Sequence, residues 1–121
     1  MRNRERSVLV VDDDPDTLSA ERELLRENGF EVMLARDGAE AMRAIEAGPP
    51  PSVIVLDIQM PGVDGPAFAL ELRRHLRHVP LIVLTGAPDA RHEADRCNAE
   101  AFLSKPFDTD RLVRTVRRFA A

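Results

Sequence analysis

Short apolar runs alternate five times with longer amphipathic segments along the chain. The apolar runs are rich in β-branched residues, which is typical of short strands buried on both faces of a sheet. The runs are Ser7–Val11, Glu31–Ala35, Val53–Leu56, Leu81–Leu84 and Ala101–Ser104. Because the second run is the least continuous, we expect it nearer an edge of the sheet.

The segments between these runs carry apolar residues at helical spacing. The five predicted helices are Asp16–Asn28, a helix from Asp37 to just before Gly48, a helix carrying Phe68, Ala69, Leu72 and Leu76, Asp89–Arg96, and Thr109–Phe119. Asp37 with Glu40 three residues later indicates a capping box. Strict alternation of strands and helices predicts one right-handed, doubly wound parallel sheet with helices on both faces, an α/β fold.

Polar residues follow four of the predicted strands. Three consecutive aspartates begin at Asp12 after the first strand, Asp57 follows the third, Thr85 the fourth and Lys105 the fifth. In a doubly wound sheet the functional crevice lies at the carboxyl ends of the strands. In the strand order 2-1-3-4-5 the first and third strands are neighbours, so we expect Asp12, Asp13 and Asp57 to converge.

This set of residues indicates a particular chemistry. Several close carboxylates repel one another unless a cation offsets their charge. Hard oxygen ligands favour Mg²⁺, which usually shares its shell with water and a phosphate. Lys105 can pair with Asp57 or with an added phosphoryl group, and the Thr85 hydroxyl can bond a phosphate oxygen. The combination predicts phosphoryl transfer to a carboxylate.

Composition narrows the class of protein. The chain has 121 residues, a length that predicts a single domain over residues 1–121. Its net charge is -4. The acidic balance and the absence of Trp and Tyr argue against direct nucleic-acid binding. No apolar run approaches the roughly 20 residues of a membrane helix, and the basic start is too short for a signal peptide. The single cysteine, Cys97, favours a reducing cytoplasm.

Four motifs together resemble the receiver domain of two-component response regulators. They are Val10-Val11-Asp12-Asp13-Asp14-Pro15, the segment from Leu56 through Asp57-Ile58-Gln59-Met60-Pro61-Gly62-Val63-Asp64 to Gly65, Leu84-Thr85-Gly86, and Lys105-Pro106-Phe107. The resemblance covers essentially the whole chain. It implies a flavodoxin-like (βα)5 three-layer sandwich. It also implies that the protein is not an enzyme, apart from catalysing its own phosphorylation and dephosphorylation.

The resemblance implies a role for each site residue. Asp57 is similar to the phosphoacceptor of the family, and Lys105 to its phosphate-binding lysine. Asp13 resembles the direct Mg²⁺ ligand and Asp12 a partner that acts mainly through water. The backbone carbonyl of Gln59, with Asp57, would complete the protein contacts to Mg²⁺.

The same resemblance implies a switch and a set of partners. Thr85 and Phe102 resemble the switch pair, in which the hydroxyl moves to the phosphate and the aromatic ring turns inward. Pro106 is similar to the family's cis-proline, and Gly86 stands where many members have alanine. The implied partners are a histidine kinase or phosphotransfer protein and a downstream protein or output domain. The latter would bind the face of the fourth helix, fifth strand and fifth helix, with a homodimer forming on phosphorylation.

Two alternatives remain open at this point. Asp12-x-Asp14 after a buried strand, with Thr85 and Lys105 downstream, also resembles haloacid-dehalogenase-type phosphatases, in which Asp12 would be the nucleophile. The second alternative is a degenerate receiver that docks without phosphorylation, but the acidic residues at positions 13 and 57 argue against it. No output domain follows Phe119, which predicts either a stand-alone regulator or a domain of a longer protein.

Overall fold

The computed structural model describes residues 6–120 and contains five strands and five helices in strict alternation. The strands are β1 (Ser7–Val11), β2 (Glu31–Ala35), β3 (Val53–Asp57), β4 (Leu81–Thr85) and β5 (Ala101–Ser104). The helices are α1 (Pro15–Glu27), α2 (Gly38–Glu46), α3 (Gly65–His75), α4 (Ala90–Arg96) and α5 (Thr109–Phe119). The ends of the predicted domain, residues 1–5 and 121, lie outside the described residues.

The strands form one parallel sheet in the order β2-β1-β3-β4-β5, which confirms the predicted doubly wound α/β fold. All five residues of β3 and all five of β4 are buried, as expected for central strands covered on both faces. β2 lies at an edge, in agreement with its less continuous apolar pattern. The order places the ends of β1, β3 and β4 side by side.

Two apolar cores, one on each face, hold the helices on the sheet. α1 and α5 cover one face through Leu18, Leu25, Leu112 and Val116. α2 and α3 cover the other face, where the core also contains Cys97, the residue directly after α4. Burial raises the pKa of the Cys97 thiol to about 11, so the thiol is protonated at neutral pH. Among residues 6–120 no helix is long and apolar enough to span a bilayer.

An aspartate caps the start of every helix in the described region. The caps are Asp14, Asp37, Asp64, Asp89 and Asp108, and each side chain accepts a hydrogen bond from a backbone N–H two or three residues later. The capping box predicted at Asp37 is only half formed. Glu40 accepts from the N–H of Arg36 rather than from that of Asp37, because it also pairs with the Arg36 guanidinium.

β3 and β4 each extend one residue beyond their predicted ends. Asp57 and Thr85 are the last residues of these strands, since the ladder continues through the hydrogen bonds from Ile58 N to Leu84 O and from Lys105 N to Thr85 O. A side chain on a paired strand is held more rigidly than one in a loop. The sheet itself therefore positions the two polar side chains.

Candidate functional site at the carboxyl ends of the strands

The structure brings together the polar residues that end the central strands. Asp12 directly follows β1, Asp57 ends β3, Thr85 ends β4 and Lys105 directly follows β5. Asp12, Asp57 and Thr85 are only 2%, 4% and 0% exposed. Buried polar side chains of this kind are retained in proteins only when they are bonded or functional.

Both carboxylate oxygens of Asp57 have hydrogen-bond donors. Oδ2 accepts from Lys105 Nζ at 2.5 Å, and Oδ1 accepts from the backbone N–H of Gln59 at 2.8 Å. Lys105 is anchored in turn through its own N–H, which donates to Thr85 O at 2.8 Å. The buried charge of Asp57 is thus offset by a cation that the neighbouring strand holds in place.

Asp12 differs from Asp57 because one of its oxygens is left without a partner. Oδ1 accepts from the N–H of Asp14 at 3.0 Å, whereas Oδ2 is buried and has no hydrogen-bond partner among the described residues. Burial, together with the nearby negative charge of Asp57, raises the pKa of Asp12 to about 6. Asp12 therefore has an oxygen available for a positively charged ligand.

The predicted convergence of three aspartates is confirmed for Asp12 and Asp57 but not for Asp13. Asp13 is exposed, and within residues 6–120 no three Asp, Glu, His or Cys side chains are grouped as a ready metal site. Mg²⁺ is commonly bound through one or two carboxylates plus water. The unpartnered oxygen of Asp12 beside Asp57 fits that requirement.

Thr85 and Phe102 lie on neighbouring strands, and the two side chains differ in burial. The Thr85 hydroxyl oxygen accepts from the N–H of Ala87 at 3.0 Å. Phe102 is half-buried, and the guanidinium carbon of Arg91 on α4 lies 5.6 Å from the centre of its ring.

The Lys105–Pro106 peptide bond is cis, as the resemblance implies.

The side chain of Gln59 makes a contact that the sequence analysis did not predict. Its amide oxygen accepts from the N–H of Gly86 at 2.5 Å, joining the loop after β3 to the loop after β4. Only the backbone carbonyl of Gln59 is predicted from the sequence to belong to the site, as a contact to Mg²⁺. The departure at Gly86 was the available sequence signal for this contact.

Glu21 is a second feature that the sequence analysis missed. It lies on the buried face of α1 between Leu18 and Leu25, is 8% exposed, and its Oε1 has no hydrogen-bond partner in the described part of the chain. Burial, reinforced by the negative charges of Asp12 and Asp57, raises the pKa of Glu21 to about 7. Its position three residues after Leu18 and four before Leu25 was the available signal.

Comparison with protein families identifies one match over most of the chain. The sequence model of the response regulator receiver domain matches residues 8–117. The transcriptional regulatory protein PrrA of Mycobacterium tuberculosis is 43% identical over 112 residues, which are 91% of this chain and 48% of PrrA. The response regulator MprA of a Mycobacterium species is 37% identical over 112 residues, again 91% of this chain and 48% of the relative. The chain spans about half the length of these curated relatives.

Solved structures give the same result. The response regulator protein TrrA of Thermotoga maritima, in complex with Mg²⁺-BeF, has a TM-score of 0.82 and 32% identity and covers 94% of this chain and 98% of its own. Chemotaxis protein CheY4 of Vibrio cholerae has a TM-score of 0.82 and 30% identity, covering 93% of this chain and 97% of its own.

Proposed function

Because this chain belongs to the response regulator receiver domain family, we propose that it accepts a phosphoryl group on Asp57 from a histidine kinase or phosphotransfer protein. One observation carries the assignment of the residue. Asp57 is a buried carboxylate bonded to Lys105, while the carboxylate beside it, Asp12, keeps an oxygen without a partner among the described residues. A nucleophile, a fixed cation and an available oxygen ligand thus lie together at the carboxyl ends of the strands.

The transfer uses the groups bonded to Asp57. One carboxylate oxygen forms a bond to phosphorus as the bond from phosphorus to the donor's histidine nitrogen breaks, and that nitrogen keeps the electron pair. Lys105, already 2.5 Å from Oδ2, offsets the negative charge of the incoming phosphoryl oxygens. Because the sheet fixes both residues, little rearrangement is needed at the moment of transfer.

A magnesium ion would be held by oxygen atoms at the same strand ends. The ligands we propose are the carboxylates of Asp12, Asp13 and Asp57 and the backbone carbonyl of Gln59, with water completing the shell. When bound, the ion supplies positive charge that stabilises the phosphoryl oxygens during transfer. Of these ligands, Asp12 carries the unpartnered buried oxygen that supports the assignment.

The phosphatase alternative is disfavoured by the position of the lysine. A phosphatase of that type would use Asp12 as its nucleophile, yet Lys105 bonds Asp57. Replacing each aspartate by asparagine separates the two functions, with acetyl phosphate and Mg²⁺ as the probe and intact mass as the readout. We expect Asp57→Asn to abolish labelling and Asp12→Asn only to weaken it. Labelling lost in Asp12→Asn and retained in Asp57→Asn would support the phosphatase instead.

We further propose that phosphorylation changes the surface formed by α4, β5 and α5, and that a partner binds there. We also propose that the protein is cytoplasmic. Arg111, Arg114 and Arg118 of α5 border a cleft there with Phe102 and Phe119, which suits an acidic partner or a second copy of the chain. The proposal also includes a cognate kinase, a downstream protein or output domain, and a homodimer that forms on phosphorylation. These partners are proposed rather than shown because this chain spans only about half the length of the matched relatives.

Thr85 would couple Asp57 to that surface. Its hydroxyl oxygen now accepts from the N–H of Ala87, and a phosphoryl oxygen offers the hydroxyl hydrogen a new acceptor. We expect Thr85→Ala to accept phosphate but to show a smaller change of amide chemical shifts at Phe102 and along α5. A full-sized response in that variant would remove Thr85 from the switch, and Thr109→Ala at the start of α5 is a suitable control.

A further inference from the structure

A cleft of about 740 Å³ lies at the edge of the sheet formed by β2. α1 contributes Arg22 and Arg26 to one wall of this cleft. α2 contributes Ala44 to the other wall, next to Pro49 of the loop that follows. Because the two helices cover opposite faces of the sheet and β2 lies between them, the cleft runs over an exposed strand edge.

The outer side of β2 has backbone groups that can pair with a further strand. β2 pairs with β1 alone, so its other side faces no strand of residues 6–120. Backbone N–H and C=O groups of successive residues alternate between the two sides of a strand. Ala35 O accepts from the N–H of Asp12, which places Ala35 and Met33 toward β1. The backbone groups that point outward therefore belong to Val32 and Leu34.

The α1 wall is positively charged, although the chain as a whole has a net charge of -4. Arg22 and Arg26 lie one turn apart on α1, and neither forms an ion pair within residues 6–120. Phe30 also lines the cleft, and the guanidinium carbons of Arg6 and Arg117 lie 4.8 Å and 5.8 Å from the centre of its ring. This side of the cleft therefore favours acidic side chains.

The α2 wall is mainly apolar. Met33, Ala44, Ala47 and Pro49 line it, together with Glu31, which shares a face of β2 with Met33. An extended segment bound along β2 would direct alternate side chains to the two walls. Acidic side chains suit the α1 wall, and apolar side chains suit the α2 wall.

We propose that this cleft binds an extended segment of a partner protein in which acidic and apolar residues alternate, and that the segment adds a strand to the edge of β2. The main-chain hydrogen bonds to Val32 and Leu34 would supply binding, and the two walls would select the side chains. The site lies at the opposite edge of the sheet from β5, so a partner on the surface of α4, β5 and α5 leaves it accessible.

Amide hydrogen exchange of the whole chain tests the added strand, with a capped peptide of alternating glutamate and valine as the probe. We expect the peptide to slow exchange at Val32 and Leu34, whose N–H groups point outward, and to leave Met33 unchanged because its N–H already faces β1. A peptide with lysine in place of glutamate is the control for charge. Equal protection by both peptides, or no change at Val32 with the glutamate peptide, would overturn the proposal.

Two substitutions test the charged wall. Arg22→Gln and Arg26→Gln should each weaken binding of the glutamate peptide by about two- to fivefold, the range expected for an exposed ion pair. Arg77→Gln, at an exposed position outside the cleft, is the matched control and should leave binding unchanged. Equal weakening in all three variants would overturn the role of the α1 wall. Protection of Val32 that rises with the concentration of the chain alone would mean that a second copy occupies the edge, and would overturn the choice of partner.

Discussion

Glu100 at one end of the sheet and Asp12 at the other differ in how many of their carboxylate oxygens have hydrogen-bond partners. At the amino ends of β4 and β5, Glu100 accepts two hydrogen bonds from the Arg73 guanidinium, both at 2.8 Å, and a third from the N–H of Leu81 at 2.7 Å. Arg73 also donates to Val79 O at 3.0 Å. At the carboxyl ends, Asp12 keeps a buried oxygen that no atom of residues 6–120 bonds.

The pKa shifts follow this difference. Burial alone favours the neutral form of Glu100, but the hydrogen bonds from Arg73 and from the Leu81 N–H outweigh it, and the pKa of Glu100 is lowered. Burial and the charge of Asp57 instead raise the pKa of Asp12. A carboxylate with all its partners serves as a link between elements, whereas one left partly unpartnered is available for a ligand.

The largest effect should come from breaking the ion pair at the carboxyl end. Lys105→Met removes the cation from Asp57, so the incoming phosphoryl charge is no longer offset there. We expect phosphorylation by acetyl phosphate with Mg²⁺ to slow by about 100-fold, the usual cost of losing one electrostatic donor. Arg73→Met is the matched control at the opposite end and should leave this rate unchanged. Equal slowing in both variants would refute the division between the two ends.

An effect of similar size concerns Glu21, whose Oε1 is buried without a hydrogen-bond partner among residues 6–120. Its pKa is raised from 4.5 to about 7, so folding favours the protonated form and stability is lost as pH rises through this interval. Above about pH 7 the loss amounts to about 3 kcal/mol, since one pKa unit corresponds to 1.36 kcal/mol.

Glu21→Leu should therefore raise the free energy of unfolding, and the gain should grow between pH 4.5 and about 7 and then level off. Urea unfolding at several pH values measures it. Glu23→Leu, at an exposed position on the same helix, should show no such pH-dependent gain. If the gain in the free energy of unfolding did not change with pH, folding would not raise the pKa of Glu21, and the prediction would be wrong.

The smallest effect should come from the amino end. Arg73→Met removes three donated hydrogen bonds. The side chains of Arg73 and Glu100 are 21% and 36% exposed, so water can replace part of the lost hydrogen bonding. We expect unfolding to become easier by about 1 kcal/mol with no change in phosphorylation. A loss of phosphorylation in this variant would show that the amino end also contributes to the site.

The fold and part of the site could be predicted because they depend on local patterns. Apolar runs predict the strands, and their alternation with helices predicts a parallel, doubly wound sheet. The carboxyl ends of its strands bring Asp12, Asp57 and Lys105 to one edge. The Gln59–Gly86 and Arg73–Glu100 contacts join residues 27 positions apart through side-chain conformations that no local pattern specifies. The exposure of Asp13 was missed for a related reason, since strand order places backbone ends but not each side chain.

Locating the phosphoryl group tests the central claim most directly. Wild-type chain treated with acetyl phosphate and Mg²⁺ is reduced with borohydride, which converts an acyl phosphate to an alcohol, and is then digested and mapped by mass. We predict a single modified residue, Asp57, with the same result in Arg73→Met and no modification in Asp57→Asn. Modification at Asp12, or labelling of Asp57→Asn at the wild-type level, would contradict the account.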